Sequence, residues 1–294
     1  MTCIGIDLGG SSVKAVAVSR SGEKLADANR AFDPAAGMEF AETIRSVVRD
    51  LEAEHGPAAA VGLSAPGLAA RDGRSIAYLP NRLAGMEGLD WGGFLKRDAA
   101  VPVLNDAHAA LLGEVWLGAA QGVTNVIMLT LGTGVGGAAM VDGNLLRGHT
   151  GKAGHLGHVC LDPRAAPDIC GTPGSLEMMI GNCTIGERSG DQFATTHELV
   201  EAVRHGDAQA ERVWLASVRA LACGIGSFTN ILDPEVAVIG GGIARAGELL
   251  FGPLRQIVSE VEWKVCDHDL RIEPARLGEL AGAYGAAWNA IRHW

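Results

Sequence analysis

Two stretches of this chain, TCIGIDLGGSSVKAVAVS from Thr2 and NVIMLTLGTGVGGAAMVDG from Asn125, share one order of residues. Each sets an apolar run, then a glycine-rich turn, then a second run of small and apolar residues. The first run reads as a buried strand and the second as its hairpin partner. A glycine turn of this kind also leaves several backbone N–H groups able to face the oxygens of an anion. The likeness of the two stretches predicts two related α/β lobes, each containing one such hairpin. A length of 294 residues agrees, because roughly 150 residues per domain gives about two.

The opening hairpin continues through an Arg20-Ser21-Gly22 turn into a third strand, an antiparallel meander. Residues 37–55 carry helical spacing in Met38, Phe40, Ile44, Val47, Val48 and Leu51, and AAAVGLS after them reads as a strand. VPVLN is a further strand and DAHAALLGEVWLG a helix, so residues 1–118 are expected to form a mixed α/β lobe. Residues 119–280 are expected to form the second. There the glycine hairpin ends in an Asp142-Gly143 turn, and an irregular stretch rich in Gly, Pro and His runs from Asn144 to Pro173. Loops that long inside compact domains are usually functional. Helices are predicted from Ser175, from Thr196 and over Asp207 to Leu232. Strand VAVIGGG, helix Gly247 to Lys264, strand LRIEPA and a final helix over 281–294 follow.

The residue content, 48% hydrophobic and 20% charged, is that of a globular chain with a large core. Its 41 glycines are about twice the ordinary ~7% share. A net charge of −10 and a pI near 5.4 argue against a nucleic-acid or anionic-membrane surface, which needs clustered Lys and Arg. No apolar run reaches the ~18 residues of a membrane span, and MTCIGIDLGG lacks the basic start and cleavage site of a signal peptide. A cytoplasmic protein without nucleic-acid or membrane partners is expected. The six cysteines, Cys3, Cys160, Cys170, Cys183, Cys223 and Cys266, are too dispersed for a disulfide framework, so reduced thiols are the default.

Three glycine turns carry the candidate chemistry. In DLGGSSVK, Asp7 ends a buried strand and is followed by Gly9, Gly10, two hydroxyls and Lys14. This is either a phosphate cradle, with Asp7 holding a metal-bound water, or a plain hairpin. LGTGVGG contains G-x-G-x-x-G at Gly132, Gly134 and Gly137, a dinucleotide fingerprint only where a helix follows. GGAAMVDG is too short and turn-bounded for one, and no G-x-x-x-x-G-K-[ST] is present; what remains is a second cradle. IGGGI, Gly240 to Gly242, is expected to open a helix whose N-terminus can face a phosphate, or to be an ordinary strand-to-helix turn. Asn105 and Asp106 fall where a strand meets a helix. Asp106 is either that helix's N-cap or a carboxylate that accepts a hydroxyl proton during phosphoryl transfer.

DLGGSSVK, APG (Ala65 to Gly67), LPN (Leu79 to Asn81), LNDAHAALLGE, LGTGVGG, GHLGH and IGGGI stand in the order found in the ROK family of sugar kinases and sugar-responsive repressors. The chain resembles that family over nearly its whole length. The resemblance implies a two-lobed actin/hexokinase-like (ribonuclease H-like) α/β fold, closing on ATP, Mg²⁺ and a sugar in the interlobe cleft. It also implies a C-terminal helix, 281–294, returning to the first lobe, and a homodimer. By position, Asp106 resembles the catalytic base. Gly9, Gly10, Ser11, Lys14, Gly132, Thr133 and Gly134 resemble phosphate contacts, with Gly240, Gly241 and Gly242 on the adenosine side. Asn81, Asn105, His158 and Glu177 resemble sugar contacts. Two other functions compete. One is a non-catalytic sugar-sensing regulator, disfavoured because a DNA-binding segment would precede the first strand, which here starts at Thr2. The other is an ATPase or acyl-phosphate kinase of the same superfamily.

GKAGHLGH departs from the family pattern, which has Glu-x-Gly-His where this chain has His155-Leu156-Gly157-His158. A carboxylate accepts two hydroxyl hydrogen bonds, whereas neutral imidazole accepts one and donates one, so the preferred hydroxyl pattern should differ from glucose. The family's zinc loop supplies three cysteines after that His. The corresponding residues here are Asp168, Cys170 and Ser175. A structural zinc wants four N or S donors, so Asp168 or Cys160 would have to be recruited, and a metal-free loop is expected. His149 and His108 are expected to be surface or N-terminal helical histidines. Trp91 either lines the pocket or anchors the core.

Overall fold

The computed structural model describes residues 1–265 and 269–293; Cys266 and Trp294 lie outside them. In chain order the elements are β1 (Thr2–Leu8), β2 (Ser12–Ser19), β3 (Lys24–Ala31), α1 (Glu39–His55), β4 (Ala58–Ala65), β5 (Leu68–Ala69), β6 (Ile76–Tyr78), α2 (Trp91–Phe94), β7 (Val103–Asn105) and α3 (Asp106–Leu117). They continue with β8 (Val126–Leu131), β9 (Val135–Val141), β10 (Asn144–Leu145), α4 (Leu176–Ile180), α5 (Ile185–Ser189), α6 (Thr196–Arg204), α7 (Ala208–Leu232), β11 (Val236–Gly240), α8 (Glu248–Val261), β12 (Arg271–Pro274) and α9 (Ala281–His293).

The chain divides into two compact units. The first holds residues up to Gly122, the segment Leu145–Ala153, and the chain from Arg276 to the end of α9. Its sheet has the order β3-β2-β1-β4-β7, antiparallel through the meander and parallel from β1 to β4 and β7. Successive side chains on a strand point to opposite faces, and β1 uses both. Ile4, Ile6 and Leu8 pack with Phe40, Ile44, Val47 and Leu51 of α1. Cys3 belongs to a separate cluster with Ala283, Ala287 and Ala290 of α9. Gly5, two residues on, brings its backbone against α9: a Cβ there would collide with the Ala283 carbonyl, and one at Gly62 of β4 with the Ala286 carbonyl. The absent side chains let α9 lie directly on the sheet.

Glu114, fully buried on α3, fastens the returning chain. Its carboxylate accepts the N–H groups of Ala119 at 2.7 Å, Arg276 at 2.9 Å and Leu277 at 2.8 Å. Trp116 and Trp288 stack 4.9 Å apart beside it. The segment Leu145–Ala153, expected in the second lobe, clusters with the first unit instead. The reason is local: Arg147 donates to the Ala70 carbonyl at 3.4 Å, and His108 Nε2 lies 3.0 Å from the Ala153 carbonyl. His108 is N-terminal in α3 as expected, yet 1% exposed. Trp91 is in the core, edge-on to Phe40 and Phe94.

The second unit repeats the plan with the sheet β10-β9-β8-β11-β12. β8 and β9 form the second glycine hairpin, and β11 and β12 run parallel to β8. By length and mean hydropathy α7 could cross a membrane, although Glu211, Arg212 and Arg219 break its apolar run. It packs instead against α4, α6 and α8 with Trp214, Leu221, Ile225 and Phe228 buried. IGGGI does not open an α-helix. A single 3₁₀ turn, Ile243–Ala246, follows it, and Gly247 at φ 62° breaks the chain before α8 begins at Glu248. From Asn144 to Pro173 the chain is irregular apart from the two-residue strand β10 at Asn144–Leu145 and one 3₁₀ turn at Leu156–His158.

Replacing Glu114 with Ala removes the shared acceptor of the part-buried N–H groups of Ala119, Arg276 and Leu277. Water can reach some of these groups, so the expected loss is about 1–3 kcal/mol in all, read as a fall in the urea midpoint.

Candidate active-site residues

Asp7 is the penultimate residue of β1, on the face that carries α9. Its Oδ1 accepts the Ser64 hydroxyl at 2.6 Å, and Gly282 near the start of α9 packs against its carboxylate. Burial pushes the Asp7 carboxyl up, to about 6, with a further push from the negative charge of Asp106; the Ser64 hydrogen bond and Lys14 pull the other way. Lys14, opposite Asp7 across the β1–β2 pair, reaches Glu279 at 2.9 Å. The turn between them is closed by Gly9 N–H to the Ser12 carbonyl at 2.8 Å, with Gly10 and Ser11 exposed.

The junction of β7 and α3 shows which residue caps the helix. Asn105 is the N-cap: its Oδ1 accepts the N–H groups of Ala107 at 3.0 Å and His108 at 3.3 Å, while Nδ2 donates to the Gly67 carbonyl at 3.0 Å. Asp106 is the first residue of the helix and is exposed. Its Oδ1 also accepts the Ala107 N–H, at 2.8 Å. An acid in the first turn is favoured by the helix dipole. Asn81 is exposed, in the left-handed region at φ 59°, and Leu83 lies there too at φ 46°. Non-glycine residues adopt such angles at a cost and cluster at functional loops. Between them Arg82 reaches the phosphate-type turn, its Nη2 3.4 Å from where a Gly10 side chain would begin.

In the second unit the glycine turn and Glu177 come together. The buried Glu177 Oε2 accepts the Val135 N–H at 2.9 Å, and any Cβ at Gly134 would collide with that carboxylate. The carbonyls of Gly132 and Thr133 accept the N–H groups of Asn182 and Cys183 at 3.0 and 2.8 Å. A cavity of about 480 Å³ opens beside them. Gly132, Thr133, Thr196, Glu201, Gly242 and Arg245 are among its lining residues. That volume lies in the range of small-molecule sites. Thr196, at the start of α6, has its N–H on Asn182 Oδ1 at 2.7 Å, but its buried hydroxyl has no hydrogen-bond partner in the protein. Gly240 is buried at the end of β11, whereas Gly241 and Gly242 are exposed.

GHLGH folds as a 3₁₀ turn held against β9. Gly157 packs on the Val135 carbonyl, and Leu176 N–H donates to the Val159 carbonyl at 3.0 Å. His155 precedes the turn and His158 ends it. His158 Nδ1 lies 2.8 Å from Asp168 Oδ2. Asp168 Oδ1 accepts the N–H groups of Cys170 at 2.8 Å and Thr172 at 3.0 Å. Burial alone would raise the Asp168 carboxyl, but bonds from His158, the Ser175 hydroxyl and those two amides outweigh it and hold it at about 2. His158, Asp168 and Cys170 place ligand atoms within 4.8 Å of one another. By themselves they fall short of the four N or S donors of a structural zinc. Asp168 is saturated by hydrogen bonds and occupies His158 Nδ1, and the Ser175 hydroxyl caps α4. Within this group the N and S donors come from His158 Nε2 and Cys170 Sγ, two where a structural zinc wants four.

Ser64, Arg82 and the α6 residues Thr196 and Glu201 join these sites without having been singled out from the sequence. The positive φ on both sides of Arg82 and the orphaned Thr196 hydroxyl are visible only in three dimensions.

Two glycine hairpins, each in a five-stranded mixed sheet with helices packed on it, define an actin/hexokinase-like α/β fold. The chain belongs to the ROK family, whose profile matches residues 3–293. It is 34% identical to a glucokinase of Thermotoga maritima over 97% of this chain and 95% of the relative. Among solved structures, the ROK hexokinase from Thermus thermophilus matches with a TM-score of 0.85 and 31% identity, covering 100% of this chain and 99% of that one. A ROK family glucokinase from Streptomyces griseus in complex with glucose and AMPPNP matches with a TM-score of 0.76 and 27% identity, over 99% of this chain and 100% of that one.

The raised Asp7 carboxyl carries a sign that can be checked. A folded-state value of about 6 against 3.8 means stability present at low pH is lost as pH rises through 6. Asp7→Asn should therefore stabilise the protein by about 1–3 kcal/mol at pH 8 and by far less at pH 4, measured by urea unfolding at both pH values.

Proposed function

We propose that this chain transfers the γ-phosphoryl group of ATP to a hydroxyl of a sugar or sugar derivative, with Asp106 as general base. The chain is an ATP-dependent carbohydrate kinase; the roles of individual residues are our reading. The observation that carries the base assignment is the division of labour at the α3 terminus. Asn105 does the capping, so the Asp106 carboxylate faces solvent at the end of β7. As the sugar oxygen attacks the γ-phosphorus and the bond to the ADP oxygen breaks, the hydroxyl proton passes to Asp106.

Mg²⁺ would be held on the first unit by Asp7, directly or through water, and would neutralise charge developing on the phosphates. Burial, with a lesser contribution from the Asp106 charge, raises the Asp7 carboxyl, and a divalent cation bound there would favour its ionised form. Gly9, Gly10, Ser11 and Lys14 on one unit, and Gly132, Thr133 and Gly134 on the other, serve as phosphate contacts in this reading. Arg82 joins the first group through its approach to Gly10. The cavity beside Gly242 takes the nucleoside, where the Thr196 hydroxyl finds its missing partner. A buried polar group left unpaired costs about 1–3 kcal/mol, and a ligand that pairs it recovers that cost.

Asn81, His155, His158 and Glu177 form the sugar side, and Asn105 retains one amide N–H for it. His155 in place of a carboxylate favours a sugar or derivative that offers both a donor and an acceptor at that point. We infer a cytoplasmic homodimer from the family resemblance.

Two outcomes check this reading. Asp106→Asn should lower kcat by about 100-fold or more with the fold intact by circular dichroism; a change within tenfold removes Asp106 from the base role. An ADP-release screen across aldoses, ketoses, amino sugars and anhydrosugars should find a substrate better than glucose, and His155→Glu should move the preference towards glucose. ATP turnover independent of any sugar would point to an ATPase instead.

A further inference from the structure

His158 lies between a carboxylate and a thiol. Its Nδ1 is 2.8 Å from Asp168 Oδ2, and its Nε2 is 3.6 Å from Cys170 Sγ. The Asp168 side chain is wholly enclosed, and an ionised carboxylate can only accept hydrogen bonds. Nδ1 must therefore carry a proton, so when the ring holds only that proton Nε2 presents its lone pair towards the sulfur. Cys170 is exposed to solvent. Thiol, imidazole and orienting acid thus stand in the order by which nucleophilic cysteines are activated. This arrangement occupies the loop in which the family pattern would put a zinc, and the donors present do not complete a zinc site.

We propose that Cys170 is a modification site, a thiol activated by His158 and Asp168 that reacts with hydroperoxides and small alkylating electrophiles. With a hydroperoxide the thiol proton passes to His158 Nε2 and the sulfur attacks the terminal, OH-bearing peroxide oxygen. The O–O bond breaks, and the departing alkoxide or hydroxide takes the proton from the imidazolium. The balance is Cys–SH + ROOH giving Cys–SOH + ROH, sulfur oxidised and peroxide reduced. With an alkyl halide a C–S bond forms, halide leaves and the proton is released. Asp168 acts here as a positioning residue, since it touches neither sulfur nor electrophile.

The consequence for the kinase rests on the reading of His158 as a sugar contact. An oxygen or alkyl group on Cys170 sits against Nε2, the ring atom left over once Asp168 has taken Nδ1. Modification should then raise KM for the sugar and leave KM for ATP unchanged.

The test uses the reduced full chain. Brief treatment with iodoacetamide at neutral pH, followed by peptide mass spectrometry, gives the labelling rates of Cys170, Cys160 and Cys183, three exposed thiols in one molecule. Cys170 should react about tenfold faster than Cys160. His158→Gln and Asp168→Asn should each remove that advantage while the Cys160 rate stays put. Hydrogen peroxide with dimedone trapping should mark the same residue. A Cys170 rate no higher than that of Cys160, a rate indifferent to His158→Gln, or one equivalent of bound zinc shielding Cys170 overturns the proposal. Rapid labelling of Cys170 that leaves sugar KM unchanged upholds the modification site and removes His158 from the sugar contacts, so the two claims fail separately.

Discussion

In the first unit, α9 lies so close to β1 and β4 that the carbonyls of Ala283 and Ala286 occupy the space where side chains at Gly5 and Gly62 would be. That contact sets the height of Gly282 above Asp7, and with it the burial that raises the Asp7 carboxyl. A larger residue at either strand position would lift the helix, since cores adjust poorly to added volume. The electrostatics around Asp7 and Asp106 therefore begin with two hydrogen atoms in place of side chains.

The second unit applies the same rule to a different end. Gly134 is small so that Glu177 can reach the backbone of the hairpin, and the bond to Val135 N–H ties α4 to the glycine turn. The GHLGH turn follows because Gly157 rests on the carbonyl of that same Val135. The residues proposed for the sugar and phosphate sides of this unit are thus organised around the start of β9.

Much of this architecture was legible in the chain. The alternation of Cys3, Gly5 and Asp7 with Ile4, Ile6 and Leu8 marks a strand covered on both faces, and the spacing over 37–55 gives α1 to within two residues. Other features depended on tertiary choices that local pattern does not record. Asn105 and Asp106 are both good N-caps, and only the structure shows which one caps. The helix placed at Gly247 to Lys264 is found at Glu248–Val261, but IGGGI itself leads only into a 3₁₀ turn, because Gly247 at φ 62° separates the two, a conformation one glycine among many does not announce. Asp168 could be seen only as a missing cysteine. Its role as the anion that gathers His158, Ser175 and two amides requires the loop to be folded.

Glu114 also orders events in time. Its carboxylate waits for amides at 276 and 277, some 160 positions further along. During synthesis the opening sheet leaves the ribosome long before α9 exists to cover Gly5 and Gly62. Until then that face is a bare strand surface with an ionisable group at its rim, so the second unit has the means to mature first and the earliest-made residues are among the last to be sealed.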